Sequence, residues 1–261
     1  AMDSLAMLFH KLIKISNLAL YLLLFAVAGL ADPLPFAPGE KLHYEVRWQK
    51  VPVARVSFEV KPHNRIQGES ARHFVLRAKS YPALDVLYPV NGYIAAYTDL
   101  NLTRSFRLEK DMQEGWKRRA FRADYDWGRG TANYSKRQKV RRRVPLEDGT
   151  LDMLSILYFA RSLPLAEGLE ATRPVSSGKK TYRIKARVVR KETIVVGGRT
   201  WPAFLIEPDV SKAGGVFKKS KAPRLFLWIS ADEARIPLKL VSKVWVGAFI
   251  VELASDPREF G

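Results

Sequence analysis

The segment that decides the fold class is Leu42-His43-Tyr44-Glu45-Val46-Arg47-Trp48-Gln49, in which apolar and polar side chains alternate at every position. Successive side chains of a β-strand point to opposite faces, so this segment would carry an apolar face and a polar face. Such a pattern is typical of a half-buried strand in an antiparallel sheet, with one face on a core and one face in water.

The same alternation recurs along most of the remaining chain. The predicted strands before the middle cover residues 42–49, 53–60, 71–78, 91–98, 105–110, 116–125 and 130–138. Those after the middle cover residues 181–190, 192–196, 200–208, 224–230, 236–244 and 247–254. Turn-forming residues separate them, as at Gly197-Gly198, which indicates a tight hairpin.

One segment near the middle is predicted to be helical, from Leu151 to Ser162, with Thr150 as its N-cap and Pro164 as its stop. It is apolar on more than one side, so we expect it to sit against or inside a curved sheet. The chain is therefore expected to be mainly β: a large curved antiparallel sheet or incomplete β-barrel with one central helix. We expect residues 32–261 to form a single β-rich domain.

Residues 1–31 have the pattern of a cleavable signal peptide. Lys11 and Lys14 precede an apolar run from Leu18 to Leu30, and Gly29-Leu30-Ala31 supplies the small residues of a cleavage site near Ala31. The alternative is an uncleaved membrane anchor, but the run is shorter than the roughly 20 residues that span a bilayer. Export of the mature chain is the prediction.

The charge and the cysteine count narrow the classes of partner. The sequence contains no cysteine, which excludes disulfides, cysteine metal ligands and the lipidated cysteine of a lipoprotein within it. The net charge of +18 favours an anionic partner, although solubility alone could also explain it. Because export separates the chain from nucleic acid, we expect anionic lipid, lipopolysaccharide or acidic polysaccharide instead, with peripheral membrane contact as a further option.

No set of residues matches a catalytic or metal-binding motif. His43, His63 and His73 lack the spacing of metal ligands, and neither a nucleophile elbow nor a phosphate-binding loop occurs. We therefore predict no catalytic residues, no metal, no cofactor and no enzymatic activity. A pair of carboxylates brought together by the fold stays open as the basis of a glycan-cleaving enzyme.

Two basic clusters are the candidate binding residues. Arg141, Arg142 and Arg143 form one of them, which could grip an anion or could simply be a solvated edge that discourages aggregation. The other runs from Lys212 to Arg224 and is predicted to be a loop, either a lid over a ligand or a plain hairpin connection. The predicted ligand-binding residues are Lys218, Lys219, Arg224, Trp228, Arg235, Arg141, Arg142 and Arg143.

Three stretches together carry a family resemblance. They are Pro38-Gly39-Glu40-Lys41-Leu42-His43-Tyr44-Glu45-Val46, Leu151-Asp152-Met153-Leu154-Ser155-Ile156-Leu157-Tyr158-Phe159-Ala160-Arg161 and Leu227-Trp228-Ile229-Ser230-Ala231-Asp232-Glu233-Ala234-Arg235-Ile236-Pro237. In this order they resemble the exported bacterial family catalogued as domain of unknown function 3108, over residues 36–254. The resemblance implies an envelope protein of Gram-negative bacteria with no settled activity. The last stretch is also loosely similar to periplasmic lipoprotein carriers, which fold as an incomplete β-barrel with a helix closing an apolar interior.

The residues within these stretches also have structural interpretations. We expect Asp152 to stabilise the start of the helix through the helix dipole. Arg161, near the end of the helix, would satisfy backbone carbonyl oxygens there.

The leading hypothesis is a non-catalytic periplasmic binding or carrier protein for an anionic amphiphile. The acyl chains would lie beside the central helix, and Lys218, Lys219, Arg224 and Arg235 would hold the head group. The alternatives are an envelope protein that binds acidic polysaccharide or cell-wall polymer through its arginine-rich hairpin, and an enzyme that acts on envelope glycans.

Overall fold

The computed structural model describes residues 34–211, 220–244 and 247–254. The predicted signal peptide, together with Lys218 and Lys219, lies outside these residues. The described chain forms one sheet of fifteen strands and two helices, α1 (Pro82–Asp85) and α2 (Ser155–Ser162). The strands are β1 (Lys41–Trp48), β2 (Val51–Ile66), β3 (Glu69–Ser80), β4 (Val90–Thr98), β5 (Ser105–Glu114), β6 (Lys117–Asp126), β7 (Thr131–Lys136), β8 (Lys139–Pro145), β9 (Leu151–Asp152), β10 (Glu170–Ser176), β11 (Thr181–Val196), β12 (Arg199–Pro208), β13 (Arg224–Ser230), β14 (Pro237–Val244) and β15 (Gly247–Leu253).

The sheet has the strand order β8-β7-β6-β5-β4-β3-β2-β1-β15-β14-β13-β12-β11-β10-β9. Every neighbouring pair is antiparallel except β9 and β10, which run parallel. Strand β1 therefore joins the two halves of the chain by pairing with β2 on one side and β15 on the other. Because β8 and β9 stand at two separate ends, the sheet is not closed into a barrel, and the predicted mainly β fold with a large antiparallel sheet is confirmed.

The deciding segment behaves as its pattern predicts. Leu42 and Tyr44 are almost completely buried and pack in a cluster with Trp201, Leu238 and Leu253. The Tyr44 hydroxyl donates a hydrogen bond to the carbonyl oxygen of Pro237 at 2.7 Å, which satisfies its polar atom inside the core. Burial raises the pKa of Tyr44 well above its ordinary value. The alternation of β1 thus fixes which face of the sheet carries the core.

Helix α2 packs against this inner face. The ring of Tyr158 stacks on Phe74 of β3, with ring centroids 3.8 Å apart. Leu157 and Ala160 of the same helix pack on the cluster that contains Phe204 of β12. One helix therefore contacts both halves of the sheet, as expected for a central helix. None of the helices in the described residues combines the length and apolar character needed to cross a membrane.

The start of α2 differs from the prediction. Leu151 and Asp152 form β9, and the helix begins only at Ser155. Thr150 is not the cap, because its hydroxyl donates to the carbonyl oxygen of Glu147 at 2.6 Å. Leu151 and Asp152 adopt an extended conformation because β9 pairs with β10. The backbone N–H of Ser105, the first residue of β5, also donates to the carbonyl oxygen of Thr150 just before β9.

Asp152 caps the helix from inside the protein. Its Oδ1 accepts the backbone N–H groups of Leu154 and Ser155 at 2.8 and 2.9 Å, and its Oδ2 accepts the hydroxyls of Ser105 and Ser155 at 2.6 Å each. A carboxylate at this position satisfies orphan helix donors. Burial raises the pKa of Asp152, although its hydrogen bonds act in the opposite direction. The structure shows Asp152 acting at the start of the helix through side-chain hydrogen bonds, and the predicted dipole effect stays a prediction.

Arg161 is the other buried polar centre. Its guanidinium forms a two-point ion pair with Glu40 at 2.6 and 2.7 Å. It also donates to the carbonyl oxygens of Pro35, Ala234 and Arg235 at 3.0, 3.1 and 2.9 Å. Arg161 does satisfy carbonyl oxygens, but they belong to other segments of the chain and not to the end of its own helix.

Candidate ligand-binding groove

The predicted head-group residues that the structure describes do not form one site. Arg224 begins β13, Trp228 lies within that strand, and Arg235 follows the turn at its far end. Since a strand rises about 3.3 Å per residue, Arg224 and Arg235 lie roughly 20 Å apart. Arg224 is paired with Glu207 at 2.9 Å, and the indole N–H of Trp228 donates to Glu192 at 2.8 Å. The polar groups of Arg224 and Trp228 are therefore engaged within the protein.

The arginine-rich strand lies at one end of the sheet. Arg141, Arg142 and Arg143 belong to β8, which pairs only with β7, and all three are exposed. Arg142 donates to the carbonyl oxygen of Lys179 at 3.3 Å. Such a row of cations on an edge strand matches the aggregation-resistant edge as well as it matches a binding site.

A groove that contains none of these predicted binding residues lies on the face of the sheet opposite to α2. Phe74 faces the helix, and Arg77 and Lys79 stand an odd number of positions further along β3, so they point to the other face. The groove encloses about 710 Å³ across β1, β2, β3 and β4. This lies within the range of about 300–1,000 Å³ that is common for small-molecule sites. Its polar lining consists of His43, Glu45, Arg55, Ser57, Arg77, Lys79, Tyr81, Asn91 and Tyr93.

Three cations dominate the lining. Arg55 of β2 stands directly opposite Lys79 of β3, and Arg77 lies two residues earlier on the same strand as Lys79. All three are exposed, and none has a carboxylate within ion-pair distance among the described residues. Like charges directly opposite each other destabilise a sheet, so the contact between Arg55 and Lys79 is unfavourable, although Glu45 of β1 stands opposite Arg55 on its other side.

Tyr81 anchors one side of the groove. Its hydroxyl accepts a hydrogen bond from Arg55 Nε at 3.2 Å and donates to Glu45 Oε2 at 3.1 Å. The guanidinium of Arg55 lies 4.9 Å from the centroid of the Tyr81 ring. The carboxylate of Glu45 is also held by Arg47 at 2.6 Å. These contacts orient Arg55 and Tyr81, whereas neither Arg77 nor Lys79 has an ion pair among the described residues, although Arg77 lies near enough to Glu59 to help lower the pKa of that carboxyl.

Tyr93 lines the side of the groove away from Tyr81. Gly92, the residue before Tyr93, determines how closely β4 and β5 approach each other. The guanidinium of Arg77 lies 5.9 Å from the centroid of the Tyr93 ring. Gly92 has φ +151°, and a Cβ at this position would collide with the carbonyl oxygen of Asp111 on β5. Only glycine therefore lets β4 and β5 approach closely here. A second, smaller groove of about 260 Å³ shares Tyr93 and extends the polar face towards Arg122 and Arg137.

The groove is separate from the central helix, because none of its lining residues belongs to α2. Around the helix, the side chains that the structure describes are packed, as the stack of Tyr158 on Phe74 shows. In the described ranges, no group of three or more histidine, aspartate or glutamate side chains is arranged to hold a metal ion.

Sequence reasoning missed this groove although most of its residues lie in or next to a predicted strand. The alternation assigned His43, Glu45 and Arg55 to a polar face but treated that face as solvated. The missing information was the register that places Arg55 against Lys79, because the two residues are 24 positions apart in the chain. One clue was present in the sequence. Arg77, Lys79 and Tyr81 stand at alternate positions around the end of β3, and Tyr93 stands near the start of β4.

The fold and its groove define a β-barrel-like protein built on one open sheet. The chain belongs to the family described as Protein of unknown function (DUF3108), whose model matches residues 43–254. The resemblance seen in the sequence is thereby confirmed. No curated protein is significantly similar to this chain in sequence.

Among solved structures, the chain is similar to a β-barrel-like protein of Domain of Unknown Function DUF1849 from Brucella abortus. The TM-score is 0.52 at 10% identity, and the match covers 82% of this chain and 94% of that one. At this identity the likeness is one of fold alone.

Two further matches are more distant. A candidate lipoprotein from Parabacteroides distasonis has a TM-score of 0.33 at 7% identity, over 84% of this chain and 95% of that one. A candidate exported protein with a YmcC-like fold from Bacteroides fragilis has a TM-score of 0.32 at 10% identity, over 85% and 96%.

Proposed function

We propose that this protein is a periplasmic binding protein for an anionic, sugar-containing ligand of the bacterial envelope, held in the groove across β1 to β4. The observation that carries the proposal is the juxtaposition of Arg55 and Lys79 on neighbouring strands, with Arg77 beside them. A bound phosphate or carboxylate would neutralise this cluster, so binding energy would come from relief of repulsion as well as from direct contact.

The chemistry of the side chains supports an anion. The guanidinium groups of Arg55 and Arg77 match the planar geometry of carboxylate and phosphate, and Lys79 adds a compact point charge. Because the groove is open to water, its affinity would depend strongly on ionic strength.

The tyrosines support a ligand that also has a flat, weakly polar surface. The ring faces of Tyr81 and Tyr93 flank the cations, and each ring combines an apolar body with a polar hydroxyl. A sugar ring carrying phosphate or carboxylate groups presents both features. This shared chemistry occurs in lipopolysaccharide and in acidic polysaccharide, the two ligand classes favoured by the charge of the chain.

The site differs from that of the leading sequence hypothesis. That hypothesis put acyl chains beside the central helix, but Tyr158, Leu157 and Ala160 of α2 are packed against the sheet. The groove on the opposite face supports recognition of the charged sugar portion instead. The periplasmic location rests on the predicted signal peptide and on the family resemblance.

The test is a binding titration of the exported protein with three ligands: lipopolysaccharide, polygalacturonate and uncharged dextran. We expect binding to one or both anionic ligands and none to dextran. Binding to lipopolysaccharide alone would identify the phosphorylated glycolipid as the source, and binding to polygalacturonate would identify acidic polysaccharide. Equal binding to dextran would overturn the proposal.

A pair of charge variants locates the site. Arg77→Gln with Lys79→Gln should weaken anion binding at least tenfold, because it removes two of the three groove cations. The matched control is Lys180→Gln with Arg187→Gln, which removes two exposed cations outside the groove. Equal losses in the two double variants would mean that net charge, and not the groove, governs binding.

A further inference from the structure

Exposed apolar side chains gather at one end of the sheet. They flank the turn between β1 and β2 or lie in the segment after α1 and in the turn between β5 and β6. The exposed fractions are 43% for Trp48, 54% for Val51, 78% for Val86, 74% for Leu87, 58% for Tyr88 and 78% for Trp116. We call these six residues the apolar rim. A soluble surface rarely exposes so many large apolar groups together unless they contact another surface.

The antiparallel connections place the whole rim at the same end. Strand β1 ends where β2 begins, and β3 and β5, like β1, run towards this end. The turns that follow β1, β3 and β5 must therefore project from one edge of the sheet.

Direct contacts make the rim continuous. Gly115 donates its N–H to the carbonyl oxygen of Pro89 at 2.8 Å, and the Tyr88 ring lies against Gly115, so Trp116 and the Val86–Tyr88 segment are neighbours. Tyr81 donates its N–H to the carbonyl oxygen of Val53 at 3.2 Å, which ties the start of that segment to β2 beside Val51.

Cations flank the apolar side chains. Lys50 lies between Trp48 and Val51, and Lys117 follows Trp116 directly. Both lysines are exposed, and neither has a carboxylate partner within the described part of the chain. The apolar rim, bordered by unpaired lysines, is complementary to a partner surface whose outermost layer is anionic and whose next layer is apolar.

We infer that the apolar rim docks on the surface of an anionic lipid bilayer. Tryptophan and tyrosine rings favour the interface between head groups and acyl chains, and exposed leucine and valine side chains gain by leaving water there. Lysines at the same level are attracted to anionic head groups. The protein would stand on the membrane with its strands directed away from the lipid, and this docking does not depend on what the groove binds.

The test compares the partition of the full chain, as recovered after export, onto vesicles of phosphatidylglycerol and phosphatidylcholine mixed and onto phosphatidylcholine alone. We expect binding to the mixed vesicles and at least tenfold weaker binding to the neutral ones. Leu87→Ser with Trp116→Ser should weaken binding to the mixed vesicles at least tenfold. The control, Leu100→Ser with Val195→Ser, changes exposed apolar residues at the opposite end of the sheet and should leave binding unchanged.

Two results would overturn the inference. One is equal binding by the rim variant, the control and the parent protein. The other is concentration-dependent self-association of the parent that the rim variant abolishes without any vesicle binding, since the rim would then be a contact between two copies of the chain. A groove variant that retains vesicle binding while losing anion binding would separate this site from the groove.

Discussion

Arg161 and Glu40 form a two-point ion pair, with the arginine fully buried and the glutamate largely so, although they are 121 residues apart in the chain. The Arg161 side chain is completely inaccessible to water, and its other donors reach the carbonyl oxygens of Pro35, Ala234 and Arg235. The three stretches that carry the family resemblance meet at this point, since each contributes at least one partner. The pair therefore fastens the N-terminal segment, the central helix and the β13–β14 turn to one another.

Removal of Glu40 should destabilise the protein strongly. Glu40→Ala would leave the guanidinium of Arg161 buried without a counter-charge, which typically costs about 3–5 kcal/mol of unfolding free energy. Glu207→Ala breaks the more exposed pair with Arg224 and should cost less than about 1 kcal/mol. Urea denaturation of both variants measures these losses of unfolding free energy. Similar losses in the two variants would show that the Arg161–Glu40 pair does not hold the three segments together.

The buried Asp152 should make stability depend on pH in a defined direction. Its pKa is raised by burial, so the folded chain holds this proton to a higher pH than the unfolded chain does. The stabilising contribution of the group is present in full below the unfolded pKa of about 3.9 and is lost as pH rises through the folded-state pKa.

Asp152→Asn removes this titration. The unfolding free energy of the wild type minus that of the variant should therefore fall as pH rises from about 4 into the neutral range. Urea unfolding at a series of pH values measures the difference. A difference that grows with pH would mean that the hydrogen bonds to the carboxylate outweigh its burial.

The close approach of β4 and β5 should make Gly92 hard to replace. In Gly92→Ala the new methyl group would collide with the carbonyl oxygen of Asp111, and overpacking of this kind costs about 1–3 kcal/mol. Gly128→Ala is the control, because its nearest contact would be the Asp126 carboxylate at 3.6 Å, and it should stay within about 0.5 kcal/mol of the parent. Thermal denaturation of both variants decides whether the strand spacing is as tight as the geometry indicates.

The like-charge pair in the groove should limit stability in the absence of ligand. Lys79→Gln removes the repulsion with Arg55 and should raise the unfolding free energy by about 0.2–1 kcal/mol at low salt. High salt screens the repulsion, so the gain should shrink there. Lys180→Gln serves as a comparison in denaturant titrations at two salt concentrations. A loss of stability in Lys79→Gln would show that this lysine is structural.

The strands were predictable from sequence where one face is buried and the other is not. Leu42 and Tyr44 alternate with His43 and Glu45, and that contrast identifies β1 directly. Strand β8 was missed because it is an exposed edge: six of its seven residues, Lys139 to Arg143 and Pro145, are exposed, so the strand has no buried apolar face. Strand β10 was missed because Pro174 interrupts a segment that reads as a turn.

The polar centres depend on contacts that local sequence does not encode. Helix α2 was placed correctly, but its start moved from Leu151 to Ser155 because β10 and Ser105 capture the preceding residues. The groove depends on the register of β2 against β3. The ion pair of Arg161 depends on the tertiary packing that brings Glu40 of the N-terminal segment against the central helix. The charges were visible in the sequence, whereas their neighbours were not.

The most direct test of the groove is the mapping of amide chemical shifts in isotope-labelled protein during titration with lipopolysaccharide or polygalacturonate. We predict that the shifts concentrate at Arg55, Arg77, Lys79 and Tyr93, on the face away from α2. Shifts confined to Arg141–Arg143 of β8, or to residues of α2, would contradict the account and place the ligand elsewhere.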